Sequence, residues 1–258
     1  MESAPQILLT QNDCDFYHTF ELLTGEIVRG QWDLRGRESE YLGGVAFADR
    51  RVLEIGPASG FLSLFMEREG ASVTAVDLPL SEDGYWDLVR RPGEDWRAIE
   101  EDFLSHIKRI RNSFWFTHSE FSSRNQLVEA DSTRLPQSIG NFDVGVISAV
   151  LLHAAAPVSL VNSLARHVTD TIIITEPYFA DMDGESPICM LQPSPENLTH
   201  NAWWQFSPKM IENLVAVLGF TDITTTKFEV PYFGPSGFDE TTVGAQIPFF
   251  SVVARIPA

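Results

Sequence analysis

The segment Glu54-Ile55-Gly56-Pro57-Ala58-Ser59-Gly60 carries the strongest chemical signal in the chain: small residues set between a short β-rich run and an amphipathic stretch. A turn of this kind lets a ligand approach bare backbone and the N–H groups that open the following helix. The spacing does not make a dinucleotide fingerprint. Counted from Gly56, the second and third glycine positions hold Ala58 and Phe61. Nor is it a P-loop, since no Gly-Lys-Ser/Thr follows. Six histidines could move protons, namely His18, His106, His118, His153, His167 and His200. His153, just beyond the fourth core strand, is the best placed as a general base; the alternative is a histidine that only lines the pocket. His18 and His118 could reach the same place from flanking segments. Glu176, Asp181 and Asp183 gather negative charge after the fifth strand, but no ligand spacing compels a metal, and none is expected.

These groups need a scaffold, and the pattern around them supplies one. Arg51-Val52-Leu53-Glu54-Ile55 reads as a strand, Phe61 to Glu69 as a helix closed by Gly70, and Ser72 to Val76 as a second strand ending at Asp77. Strand, helix and strand within this distance make a βαβ unit of a parallel sheet. Further strands are expected at Gln126–Ala130, 143–148 and Thr171–Thr175, with a helix over Pro157–His167 between the last two. Trp96, Ile99, Phe103, Ile107, Ile110 and Phe114 recur at helical spacing inside a long insertion, 78–125. Ser207-Pro208 opens a helix to Leu218 that stops at Gly219, and Ile223–Val230 and Phe249–Ala254 are late strands. The expected fold is α/β, a Rossmann-like, doubly wound, mostly parallel sheet with an antiparallel edge strand. Residues 1–48 form an N-terminal cap, its aromatics Phe16, Tyr17, Phe20 and Trp32 packed together, and 49–258 form the main domain.

Composition narrows the partners. The net charge of −18 repels a phosphate backbone unless basic residues gather on one face, which speaks against nucleic acid. The densest basic run, Lys108-Arg109-Arg111, reads as a solvated helix face, as do the pairs Arg50-Arg51 and Arg90-Arg91. No stretch approaches the roughly 20 apolar residues of a membrane span, and Met1-Glu2-Ser3-Ala4-Pro5 lacks the features of a secretory signal. Cys14 and Cys189 match no metal or redox spacing, so a cytoplasmic location is expected and a homodimer is left open.

The chain resembles the class I S-adenosylmethionine-dependent methyltransferases. Glu54, Gly56 and Gly60 match the family's first motif, an acidic residue and a small-residue loop, with Ala58 in place of the usual middle glycine. The resemblance implies that Asp77 holds the ribose hydroxyls, for which a carboxylate accepting two hydrogen bonds is suited. It implies that Asp131, in Glu129-Ala130-Asp131-Ser132, lies near the adenine, and that Ser148 ends the strand beside the methionine moiety. The implied cofactor set is Glu54, Gly56, Pro57, Ala58, Gly60, Asp77, Leu78, Asp131, Ser132 and Ser148, with Arg35 reaching a cofactor carboxylate. Tyr178, Trp203, Trp204 and His118 would wall a small-molecule acceptor. Gly30-Gln31-Trp32-Asp33-Leu34-Arg35, Phe114 to His118, Leu151-Leu152-His153 and Trp203-Trp204 resemble a bacterial subgroup grouped with tRNA wobble-uridine methyltransferase-like proteins. The implied reaction is in-line methyl transfer from S-adenosyl-L-methionine to a small biosynthetic intermediate, releasing S-adenosyl-L-homocysteine. An RNA methyltransferase, or a silent cofactor-binding partner subunit, are the alternatives.

Overall fold

The computed structural model describes residues 9–80, 86–197, 199–234 and 244–257; the leader reading at Met1–Pro5 falls outside them. A two-stranded ribbon, β1 (Phe20–Glu21) and β2 (Ile27–Val28), and a one-turn helix, α1 (Glu38–Tyr41), make up the cap. The βαβ unit follows as β3 (Arg51–Ile55), α2 (Phe61–Arg68) and β4 (Ser72–Asp77). Next come α3 (Trp96–Glu120), β5 (Gln126–Glu129), β6 (Phe142–Ser148), α4 (Pro157–Ala165) and β7 (Val168–Pro177). A second ribbon, β8 (Cys189–Leu191) and β9 (Trp204–Phe206), precedes α5 (Pro208–Val217), β10 (Asp222–Tyr232) and β11 (Ala245–Arg255). The main sheet has the order β10-β11-β7-β6-β3-β4-β5.

β11 pairs antiparallel with both β7 and β10, so the antiparallel member stands one place in from the edge. The spacing of Trp96 to Phe114 does form one helix, and α3 is also the crossover that the parallel β4–β5 pair requires. The two ribbons went unanticipated because strands of two or three residues are too short to show alternation. Ser207 caps α5 as expected, its side chain accepting from the Met210 N–H at 3.1 Å.

Alternation along the strands builds two cores. Val144, Val146 and Ile173 face one side with α2 and the cap residues Leu34, Tyr41 and Leu42. Ile147, Ile172 and Ile174 face the other, against Leu160 and Leu164 of α4 and Ile211 and Val215 of α5. The cap therefore takes the place of a helical layer over one end of the sheet. Trp32 bridges His18 on one side and Tyr232 of β10 on the other. Gly30 permits this approach, because a Cβ there would collide with the His18 backbone. Among the described residues, no helix is long and apolar enough to cross a membrane.

Packing under β6 is tight enough to test. A Cβ on Gly145 would lie 2.6 Å from Val168 Cγ2 and 3.0 Å from Leu164 Cδ2. Gly145→Ala is expected to cost about 1–3 kcal/mol through overpacking, seen as a lower urea midpoint; an unchanged midpoint would show that α4 yields freely.

Candidate functional site

The carboxyl ends of β3, β4, β5 and β6 open onto a cavity of about 750 Å³. Gly56, Ala58 and Gly60 all adopt positive φ, at 71°, 48° and 77°. Glycine is enforced twice at both ends of the loop. A Cβ on Gly56 would sit 2.6 Å from Val150 Cγ2, and one on Gly60 would sit 2.9 Å from Phe114 Cδ2. Ala58 holds the left-handed conformation without glycine's freedom, at a cost of about 1–2 kcal/mol. Ser59 fixes the loop from two sides: its Oγ accepts from the Tyr17 N–H at 2.7 Å, and its carbonyl accepts from Thr117 Oγ1 at 3.0 Å.

Glu54 lies under the loop and accepts a hydrogen bond from the Ser63 hydroxyl. Burial pushes its carboxyl up to about 7, against the Ser63 bond and with the charge of Asp77 adding to the rise. Asp77 lines the cavity at the end of β4, where Oδ1 accepts from the Leu78 N–H at 2.9 Å. Its Oδ2 is 3.0 Å from Nη2 of Arg111, whose Nη1 also reaches Glu129 Oε1 at 3.2 Å. Burial raises the Asp77 pKa while Arg111 opposes the rise. Arg111 is only 3% exposed, so the reading of Lys108-Arg109-Arg111 as a solvated face fails at this residue. The signal was present in the sequence: Arg111 falls four residues after Ile107 and three before Phe114, on the apolar stripe of α3. Arg109 ion-pairs with Asp15 of the cap at 2.8 Å.

Asp131, Ser132 and Thr133 line the cavity after β5. Asp131 also caps a short turn there, its Oδ1 accepting from the Thr133 N–H at 2.8 Å and hydroxyl at 2.6 Å. Pro57, Leu78 and Ser148 line the same cavity, and the buried Ser148 Oγ has no hydrogen-bond partner. Beyond β6, Ala149 takes a φ of 53°. Glu176 holds the next turn, its Oε1 accepting from the Val150 and Leu151 N–H groups at 3.1 and 2.8 Å. Burial pushes Glu176 up to about 8, and its Oε2 is unpartnered. His153 lines the cavity from this turn, hydrogen-bonded through Nδ1 to the Asn201 carbonyl. Desolvation lowers its pKa, partly opposed by that bond, which favours the neutral imidazole.

Six expected site residues are absent from the described cavity wall, among them Gly60, which closes the loop against Phe114. Arg35 is tied to Asp33 by two hydrogen bonds of 2.9 and 2.7 Å and lines a separate recess with Phe20, Glu38 and Arg68. Tyr178 lies under the Lys227 ammonium, 4.5 Å from its ring centroid. Trp203 and Trp204 donate to the carbonyls of Asp87 at 2.6 Å and Ala154 at 3.0 Å, buttressing two segments that do line the cavity. His118 contacts the Asn125 carbonyl at 3.1 Å beside Phe114 and Trp115. The aromatic wall comes instead from Tyr17, Trp32 and Tyr41 of the cap, with Tyr232 and Phe249. Among the described residues no three potential ligands gather for a metal; Asp183 is paired with Lys227 at 2.6 Å.

No protein-family model matches the chain, and no curated protein sequence matches it. Solved structures do. The N-terminal domain of EvdMO1, crystallised in the presence of SAH and D-fucose, is 17% identical with a TM-score of 0.59, covering 96% of this chain and 94% of that one. Magnesium protoporphyrin IX methyltransferase from Synechocystis PCC 6803, with bound SAH, is 12% identical with a TM-score of 0.51 over 87% and 82%. The chain shares the Rossmann-like α/β fold of these two structures. A third structure, the 1,6-didemethyltoxoflavin-N1-methyltransferase of Burkholderia thailandensis with its namesake ligand and S-adenosylhomocysteine, is 16% identical with a TM-score of 0.50 over 86% and 78%.

The buried acids give this fold a pH signature. Below about 4.5 Glu176 is protonated both folded and unfolded, and its contribution is fully present. As the pH rises to about 8 the folded carboxyl keeps a proton that the unfolded one has lost, so stability falls by ~1.4 kcal/mol per pH unit for such a group. Glu176→Gln is expected to flatten the decline in urea midpoint between pH 5 and 9 relative to the parent; parallel curves would show that Glu176 is ionised in the fold.

Proposed function

We propose that this protein is a methyltransferase that uses S-adenosyl-L-methionine and acts on a small molecule. The observation that carries the reading is one cavity onto which successive strand ends bring the Gly56–Gly60 loop, Asp77, Asp131–Ser132 and Ser148. The fit to the cofactor rests on features of this chain: a loop whose glycines leave no room for side chains, and a buried serine hydroxyl without a partner. In this reading the loop and the start of α2 receive the cofactor's amino-acid end, Asp77 accepts hydrogen bonds from the ribose hydroxyls, and Asp131 and Ser132 flank the adenine. When bound, S-adenosyl-L-methionine supplies a methyl group already activated by its sulfonium, and S-adenosyl-L-homocysteine is the product.

The protein's own work is then alignment of the acceptor and exclusion of water. His153 is the residue to accept a proton where the acceptor is a hydroxyl or amine, since it lines the cavity and its pKa is lowered toward the neutral imidazole. Burial raises the Asp77 pKa, and the adjacent Arg111 guanidinium opposes that rise. The structural neighbours, one crystallised with D-fucose, one with bound 1,6-didemethyltoxoflavin and one named for a porphyrin, support a small-molecule acceptor. The net charge of −18 weighs against the RNA acceptor that the tRNA-modifying subgroup resemblance would suggest.

Calorimetric titration with S-adenosylhomocysteine, with NAD as control, tests the assignment. Binding of S-adenosylhomocysteine alone is expected, weakened about tenfold or more by Asp77→Ala through loss of charge-assisted bonds. NAD binding without S-adenosylhomocysteine binding would overturn the cofactor class, and unchanged affinity in the variant would remove Asp77 from the site.

A further inference from the structure

The strand order separates the cavity into two flanks. Asp77 and Asp131 follow β4 and β5 on one side of β3, whereas Phe249 and Tyr232 belong to β11 and β10 on the other. The second flank is closed by the cap, where Trp32 packs on Tyr232 with ring centroids 4.4 Å apart and meets Phe249 edge-on at 5.4 Å. His18 is set into this wall, 7% exposed, between Tyr17 at 5.0 Å and Phe61 at 5.7 Å. Its Nδ1 has no hydrogen-bond partner. Burial drives its pKa down to about 3, so the ring offers hydrogen bonding without charge at any ordinary pH.

Charge placement supplies the second observation. The chain has 18 Lys and Arg residues, and every one lies within the described part of the structure. None of them lines the cavity, whose ionisable acids are Glu54, Asp77, Asp87 and Asp131. On the cap-side flank, lined by Tyr17, His18, Trp32, Tyr41, Tyr232 and Phe249, a phosphate or carboxylate would be desolvated with no Lys or Arg to pair with it.

Building on the methyltransferase reading, we propose that the cap-side flank is the acceptor subsite and takes an uncharged, hydroxyl-bearing ring, one face against the Trp32–Tyr232 wall and one hydroxyl hydrogen-bonded to His18. A sugar ring and a phenolic ring share this chemistry: each presents an apolar face to an aromatic and hydroxyls at its edge.

The test titrates protein saturated with S-adenosylhomocysteine, following tryptophan fluorescence, with two matched pairs. These are methyl α-D-glucopyranoside against glucose 6-phosphate, and catechol against 3,4-dihydroxybenzoate. At least one neutral probe is expected to bind about tenfold or more tightly than its anionic partner, and which pair responds tells a sugar from a phenol. His18→Leu is expected to weaken that probe about tenfold, His18→Asn to restore part of the loss, and S-adenosylhomocysteine affinity to report that both variants are folded. An anionic probe binding as well as its neutral partner, no neutral probe binding at millimolar concentration, or a His18→Leu variant that binds like the parent would each overturn the subsite. Failure of S-adenosylhomocysteine itself to bind would instead overturn the cofactor reading on which the subsite rests.

Discussion

Ser59 is fully buried, and its two polar groups are claimed from outside its own loop: the hydroxyl by the Tyr17 N–H of the cap, the carbonyl by Thr117 of α3. This pair of hydrogen bonds ties together the loop, the cap and α3 at one point. The loop can hold three residues at positive φ because its middle is anchored on both sides. The cap, through Tyr17, is thereby referenced to the same point as the glycine turn. Helix α3 is referenced to it as well, which sets where Arg111 meets Asp77. A shift in any one of the three would be felt at both flanks of the cavity, since protein interiors transmit strain rather than absorb it.

A chain with twice as many acids as bases must decide where to place its cations. Here the ion pairs close the scaffold. Arg109 joins α3 to Asp15 of the cap, Arg50 joins the start of the sheet to Asp170, Arg111 bridges Asp77 and Glu129, and Lys227 meets Asp183. Buried acids outside these pairs, Glu54 and Glu176, instead carry raised pKa values and accept hydrogen bonds from Ser63 and from the Val150 and Leu151 N–H groups. The cavity is left acidic and aromatic as a result of that allocation.

Much of the scaffold was legible in the sequence because its signals are local. β-branched runs gave the core strands, the small-residue loop gave the turn, and Ser207-Pro208 gave a helix start with the bond it implies. The aromatic wall was not legible in the same way. Trp32 and Tyr232 meet from opposite ends of the chain, and periodicity reports which face of an element is apolar without saying what it meets. Tyr178, Trp203, Trp204 and His118 follow the right strands or helices, yet each is turned into a supporting contact. Arg111 shows the converse: its charge suggested solvent, while its place on the α3 stripe already put it inside.

The union of Trp32 with Tyr232 and Phe249 also orders events in time. As the chain leaves the ribosome, the glycine turn, Asp77 and the strand bearing Ser148 emerge while β10 and β11 are still unmade. Trp32 and the rest of the cap wait through most of translation with an apolar face uncovered, and β11 must then enter between β7 and a strand that itself has just appeared. One flank of the cavity is thus early in synthesis and the other late. A nascent chain arrested shortly before β10 would present the half bearing Asp77 and Asp131 already formed, with the opposite half exposed to whatever chaperone guards unfinished aromatic surface.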